Sequence, residues 1–533
     1  MDQAGISLMD KTNKTDSPNA KESRGKGLYA VIGILLFGIC ASCAIWFSNF
    51  SGFILGSSDP VEEGAKIEYV RPGWKIEPLA KAPGEIFSLC THHWQGNDDV
   101  YVGAGNSAEV FRFNTSDAND VRRIVTGFGE DAQNGTSVIT HLSICNLFDD
   151  ETPKLVATVN QCVPVGKPWL FVVSVAQPAN LLAVVRPDIA SSWTHGIGYS
   201  KDKHGRDTIL STYCGHGEVL EFAMIKSVLS DGYVADGLKY RKLGTMPGSG
   251  EYLQTIDIDG DSENELIIAS GYRPQEACIR IYKRFSKASA NVAKNAFGSK
   301  RLLGEDWILM REIKENNRFG NVRFLAGKST PGERPSLIAW WCTDLLGGKC
   351  EVARYTFVNG TEIIPQLIAQ GEAQDLWPID GQMAVNDTDG DTMPEIWFAT
   401  SGGCLWRAVL SDRPYVKSPP LSAGTEIPQR VLDKQSAVRI FPGVSEFDLI
   451  SYSPTGFGPL ASMPKTKGGT DLILGSGKTV FRVSAIQKSE PTATRTRPIM
   501  AARGFGRRIN FPVAGKSNSK MTTSPKSPTP KAR

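Results

Sequence analysis

Between residues 80 and 485 the apolar positions come in short β-rich bursts, with no sustained stripe at the 3.6-residue period of a helix. The most regular burst is a five-residue run that opens on a polar or charged residue and continues apolar. It occurs as Asp99–Gly103, Lys154–Thr158, Asp207–Ser211, Glu265–Ala269, Ser336–Trp340, Glu395–Ala399 and Asp471–Gly475. The starts lie 55, 53, 58, 71, 59 and 76 residues apart. A polar loop precedes each run and a small-residue turn follows. Several are then answered by a second run, at Val110–Phe113, Val219–Phe222, Cys278–Tyr282 and Val480–Val483. Repetition at this period, with several strands per unit, predicts a propeller: one small sheet cannot bury both faces alone, so the sheets stack around an axis. The expectation is an all-β, seven-bladed β-propeller over residues 80–485, each repeated run being the first strand of its blade. Insertions such as Phe285–Gly304 would sit on blade edges, and residues 67–79 could close the last blade.

The flanks have a different character. No charged residue occurs from Leu28 to Gly56, and Leu28–Phe47 is almost wholly apolar. About 20 such residues in a helix cross a hydrocarbon core of ~30 Å. Lys21, Arg24 and Lys26 precede the stretch, whereas Asp59, Glu62 and Glu63 follow it. The positive-inside rule then keeps residues 1–27 in the cytoplasm, spans the membrane with 28–50 and translocates the rest. This is a single-pass type II arrangement, with the propeller at the cell surface, in a lumen or in the periplasm. The long basic leader favours an uncleaved anchor over a signal peptide cut near Ser42-Cys43-Ala44. Residues 51–79 read as a linker with the closing strand at its end. Residues 486–533 hold eleven Lys and Arg against the single Glu490, among Ser, Thr and Pro, and read as a disordered basic tail. Such a tail is suited to acidic surfaces. The net charge of the whole chain, +3, gives no case for nucleic-acid binding.

Two loops carry the most specific chemistry. Asp257–Glu265 reads D-I-D-G-D-S-E-N-E and Asp387–Glu395 reads D-T-D-G-D-T-M-P-E, each running straight into one of the repeated strands. Both put carboxylates at positions one, three, five and nine and glycine at position four. A hard cation such as Ca²⁺ takes 6–8 oxygens at 2.3–2.6 Å, and alternating acids on a curled loop present them. Without a cation, four clustered carboxylates would repel one another. An EF-hand does not fit, because no glutamate stands at position twelve and a strand follows, not a helix.

These loops resemble the D-x-D/N-G-D-x-x-x-D/E-L signature of the FG-GAP/VCBS repeats found in integrin α-subunit propellers. The resemblance implies structural calcium at about two sites. The implied ligands are Asp257, Asp259, Asp261 and Glu265, with the backbone oxygen of Glu263. In the second loop they are Asp387, Asp389, Asp391 and Glu395, with the backbone oxygen of Met393. The corresponding loops before Lys154 (N-L-F-D-D-E-T-P) and Asp207 (S-K-D-K-H-G-R) have lost the pattern and are expected to hold no ion.

A second candidate site comes from position within the repeat. His141 and His195 lie thirteen and twelve residues before their runs. The same offset elsewhere reaches Tyr252 and Gln382 beside Glu251 and Asp380, with Glu85 in the first unit and Arg323 in the fifth. Converging at a channel mouth, His141, His195, Glu251, Arg323 and Asp380 could hold a transition metal or supply an acid and a base to a sugar. In this they resemble propeller sugar lyases and dehydratases. His92, His93, His204 and His216 read as solvated loop residues, and Trp340, Trp341 and Trp406 as core. No nucleophile elbow, phosphate-binding loop or zinc-protease motif occurs.

Eight cysteines lie beyond the apolar stretch, and Cys342 and Cys350, bracketing a seven-residue loop, are the expected disulfide. Glycosylation sequons stand at Asn114, Asn134, Asn359 and Asn386. Three function classes follow: a calcium-braced binding or adhesion module for protein or glycan, a carbohydrate lyase or dehydratase, and a scaffold subunit of a membrane assembly. The absence of a catalytic signature favours the first.

Overall fold

A computed structural model describes residues 66–486, with interruptions in loops, the longest at 286–301 and 412–426. The chain forms seven antiparallel sheets. Two strands come first, β1 (Tyr69–Val70) and β2 (Trp74–Lys81). Blade 1 is β3 (Ile86–Trp94), β4 (Asn97–Ala104), β5 (Glu109–Asn114) and β6 (Asp117–Val125). Blade 2 is β7 (Thr136–Cys145), β8 (Lys154–Val163), β9 (Trp169–Ser174) and β10 (Asn180–Val185). Blade 3 is β11 (Thr194–Lys201), β12 (Asp207–Tyr213), β13 (Glu218–Val228) and β14 (Val234–Thr245). Blade 4 is β15 (Gly250–Ile256), β16 (Glu265–Ser270), β17 (Cys278–Arg284), β18 (Leu302–Leu303) and β19 (Trp307–Ile313).

Blade 5 is β20 (Val322–Gly327), β21 (Ser336–Cys342), β22 (Lys349–Val358) and β23 (Glu362–Glu372), followed by a short helix, α1 (Ala373–Leu376). Blade 6 starts with β24 (Pro378–Asn386), β25 (Glu395–Thr400) and β26 (Cys404–Leu410). The chain then runs through α2 (Gln429–Ala437), lends β27 (Arg439–Ile440) to the edge of blade 5, and returns to blade 6 as β28 (Val444–Tyr452). Blade 7 is β29 (Leu460–Pro464), β30 (Thr470–Ser476) and β31 (Thr479–Ala485). Its fourth strand is β2, paired antiparallel to β31 from Trp74–Ala485 to Lys81–Thr479. β1 adds in the same way to the edge of blade 6.

The inner strands β3, β7, β11, β15, β20, β24 and β29 neighbour one another in a closed cycle, β29 meeting β3. The molecule is a seven-bladed β-propeller. The repeated runs of the sequence are therefore the second strand of each blade, β4 to β30, one place further from the axis than expected. The reason is burial. A second strand is covered by neighbouring blades on both faces, so β16, β21 and β25 are buried along their whole length and read as unbroken apolar runs. The inner strands are shaped by crowding near the axis. A Cβ on Gly196 of β11 would meet the backbone of Leu253 in β15 at 2.6 Å, so only glycine fits.

The core lies between blades. Tyr252 meets Phe324 edge to face across blades 4 and 5, at 5.1 Å between ring centroids. Trp340 meets Phe398 across blades 5 and 6 at 5.4 Å. Trp340, Trp341 and Trp406 are all buried, and Trp406 donates its ring N–H to the Asp375 carbonyl at 2.7 Å.

Several expectations need correction or lie elsewhere. Cys342 and Cys350 stand directly opposite each other across β21 and β22 and are both buried, but no disulfide joins them, nor any other cysteines among the described residues. The continuous β21–β22 ladder already fixes that hairpin, and the two thiols pack as small apolar groups. The Asn386 side-chain nitrogen is buried, so this sequon is closed to a glycan in the folded chain. Asn114 is half-buried, and Asn134 and Asn359 lie outside the described residues. So do the expected membrane span at 28–50, the leader before it and the basic tail beyond Ile486. Among the described residues no helix is long and apolar enough to cross a membrane.

Candidate metal centres

The two acidic loops occupy the same place in blades 4 and 6, between inner and second strands. They also fold alike. In the first, Glu265 Oε2 accepts the Ile258 N–H at 2.9 Å and thereby ties the end of the loop to its start. Asp257 Oδ2 accepts from Ser262 at 2.9 Å, Asp259 Oδ1 from Asp261 at 3.2 Å, and Asp261 Oδ1 from Glu263 at 3.0 Å. The second loop repeats each bond. Thr388 donates to Glu395 Oε2 at 2.9 Å, Thr392 to Asp387 at 3.1 Å, Asp391 to Asp389 at 3.2 Å and Met393 to Asp391 at 2.7 Å. Position six is left-handed in both, Ser262 at φ 75° and Thr392 at φ 72°, as is Gly260 at 82°. Two non-glycine residues held at positive φ mark a backbone that the carboxylate-to-amide bonds enforce.

In each loop three carboxylates converge. Oxygens of Asp257, Asp259 and Glu265 lie within 4.8 Å of one another, and so do oxygens of Asp387, Asp389 and Asp391. Two oxygens on one calcium ion can be no further apart than about 5 Å, given bonds of 2.3–2.6 Å. Glu265 is also buried, its Oε1 facing the Lys283 ammonium at 3.3 Å. An all-oxygen donor set with this spacing fits a hard divalent cation. The residues brought together differ between loops, however: Asp261 stands outside the first trio and Glu395 outside the second. Glu263 and Met393 enter through their N–H groups.

Each loop also meets a base on the third strand of its own blade, which the sequence reading missed. The Lys283 ammonium of β17 lies 2.5 Å from Asp259 Oδ2, 2.5 Å from Asp261 Oδ2 and 3.3 Å from Glu265 Oε1. Arg407 of β26 pairs with Glu395 and Glu446 and lies 3.1 Å from Asp389. Its guanidinium stands 5.5 Å from the ring centre of Trp74 in the closing strand. Part of the countercharge that these carboxylates need is thus built into the fold. Burial opposes the charge on Lys283, but its bonds to Asp259, Asp261 and Glu265 outweigh it and raise its pKa. Lys283 in turn lowers that of Asp261. Asp389 is pushed up to about 6 by burial and by the charge of Glu395. A basic residue inside an otherwise apolar third strand, as in C-L-W-R-A-V-L, was the available signal.

The loop before Asp207 has a different solution. Asp202 accepts N–H bonds from His204 at 2.8 Å and Arg206 at 3.0 Å, and the Arg206 side chain closes on it at 2.6 Å. The turn carries its own cation.

The second candidate site is brought to the axis only in part. His141, His195, Glu251, Arg323, Asp380 and Gln382 all lie on inner strands, and Glu85 directly precedes β3. Arg323 is buried with its guanidinium 5.4 Å from the Trp377 ring centre. Tyr252 faces the Phe324 core contact. Glu85 and His141 are half-buried, and burial raises the Glu85 carboxyl. The side chains of His195, Glu251, Asp380 and Gln382 lie outside the described residues. Among the described residues, the two acidic loops alone gather three metal-ligating side chains. His93 of blade 1 pairs with Asp98 at 2.5 Å, and the buried Nε2 of His92 makes no hydrogen bond. No protein-family model matches this chain, and no curated protein matches it.

Proposed function

We propose that the chain is a membrane-anchored, calcium-braced propeller that displays an extracytoplasmic binding surface for a protein or a glycan. The observation that carries this reading is the pair of congruent loops, each gathering three carboxylate oxygens between the inner and second strand of its blade. Calcium there would pin those two strands together and stiffen the rim, which is a structural role and not a catalytic one. Resemblance of both loops to FG-GAP/VCBS repeats supports the same assignment. The uncharged stretch Leu28–Gly56, basic before and acidic after, supports a single-pass anchor with the propeller outside. The Lys- and Arg-rich tail gives the exported part a second, electrostatic means of holding acidic surfaces.

The test uses the full chain, tagged at both ends. Protease added to intact cells should remove the C-terminal tag and spare the N-terminal one. The detergent-purified chain should contain calcium by elemental mass spectrometry and melt at a lower temperature after chelation. Loss of the N-terminal tag instead overturns the orientation, and a chain without calcium whose melting ignores chelator overturns the bracing.

A further inference from the structure

The acid that opens the repeated run, on the second strand, is paired with a base on the third strand in four blades. The pairs are Asp99–Arg112 at 2.8 Å, Glu265–Lys283 at 3.3 Å, Glu395–Arg407, and Asp471–Arg482 at 3.6 Å. In three of them the base has one fixed place, opposite the residue two beyond the acid. Arg112 faces Tyr101, Arg407 faces Trp397 and Arg482 faces Ile473. Blade 4 departs from this. The equivalent place, facing Ile267, is taken by Ile281, and the base stands two residues further along, at Lys283, one beyond the Leu266–Tyr282 pair. That shift carries the ammonium out of the sheet and into the loop.

The consequence is a difference in what each base is attached to. Every ion pair described for Lys283 is to a carboxylate of loop 257–265. Arg407 is held mainly outside the converging trio of its loop, by Glu395, Glu446 and the Trp74 ring, and only Asp389 links it to that trio. We propose that Lys283 is the resident cation of loop 257–265, competing with calcium for Asp259 and Glu265, so that the two loops fill unequally and loop 387–395 fills first. This rests on the calcium reading above. Calcium entering the trio of loop 257–265 must displace an ammonium from two of its three carboxylates, Asp259 and Glu265, whereas in the trio of loop 387–395 Arg407 touches Asp389 alone and keeps Glu395 and Glu446 as partners when calcium enters. The lysine stem is flexible and can swing to solvent; the guanidinium is clamped.

Calorimetric titration of the full chain with calcium alone tests this. Wild type should show a tight site, lost in Asp389→Asn, and a weak one. Lys283→Met should strengthen the weak site by about ten- to a hundredfold, the range expected for losing a competing charge-assisted bond, and leave the tight one unchanged. Melting gives a second readout: K283M should be less stable than wild type in chelator and should regain that loss in millimolar calcium. If K283M folds only with calcium, that dependence is the same prediction in stronger form. Two equal sites in wild type, a weak site that K283M does not strengthen, or a K283M chain that calcium fails to restore overturns the inference alone. No calcium bound by wild type or by K283M overturns the calcium reading with it.

Discussion

Trp74 and Trp397 meet edge to face, their ring centroids 4.9 Å apart and their planes at 75°. The first belongs to β2, the strand that completes blade 7 from the other end of the propeller sequence, and the second to β25 in blade 6. One aromatic contact therefore joins the closing strand to the neighbouring blade, and Arg407 lies against the same Trp74 ring.

Trp74→Ala should loosen this closure. A half-buried Trp loses less than a fully buried one, and we expect a cost of about 2 kcal/mol. The urea midpoint should fall, and limited proteolysis should cut near residue 74 well before any blade interior. A protease pattern identical to wild type would show that β2 is held by its ladder to β31 alone.

Arg407→Met leaves Glu395, which is fully buried, without its cation. Removing one partner of a buried pair costs about 3–5 kcal/mol. Glu395 keeps the N–H groups of Thr388 and Trp397, at 2.9 and 3.0 Å, so the lower end of that range is expected. The double variant R407M/E395Q should recover much of the loss in urea denaturation; equal losses in single and double variants would refute the pairing as the cause.

Asp202 gives a pH signature. Burial raises its carboxyl, but the Arg206 side chain and the N–H groups of Arg206 and His204 bring it down to about 2. A depressed folded value stabilises the chain above the unfolded value of about 3.9, and the gain disappears as pH falls towards the folded one. The turn borders solvent, so the gain is about 1 kcal/mol at neutral pH, not the full linkage value. D202N should lower the urea midpoint at pH 7, with the difference from wild type shrinking steadily below pH 4. A difference independent of pH would assign the effect to turn geometry.

Gly403 connects β25 to β26 at φ 79°, and a Cβ there would collide with the Ser453 carbonyl oxygen. Gly403→Ala combines left-handed strain with backbone overlap and should cost about 3 kcal/mol. Gly477, at φ 53° in the β30–β31 turn with open space around its Cβ position, is the control. G477A should cost about 1 kcal/mol. Equal melting of the two variants would show that the Ser453 contact is relieved at no cost.

The blade count was legible because seven second strands are sandwiched on both faces, and the demand for continuous burial writes itself as D-L-I-L-G or E-L-I-I-A. The inner strands carry no such demand: Thr194–Lys201 (T-H-G-I-G-Y-S-K) is shaped by crowding near the axis, and its composition resembles a loop. Closing strands such as β1, two residues long, are defined by a partner almost 400 residues away, which no local pattern encodes. The acidic loops were legible because nine consecutive positions specify them, but which three carboxylates converge in each was not. Lys283 and Arg407 were not, because a base reaches the loop only through the β16–β17 and β25–β26 registers.

The pairing of Trp74–Lys81 with Thr479–Ala485 also sets a timetable. A chain being made or exported from its N-terminus can assemble six blades in order, but β2 waits through some 400 residues for its partner. Until residue 485 emerges, the ring stays open, β2 lacks its partner strand and the apolar faces of blade 1 and blade 6 that blade 7 covers stay exposed, the surfaces most prone to join another chain. Completion is therefore an event of the finished polypeptide, and a messenger truncated just before β31 would produce an open arc and not a smaller propeller.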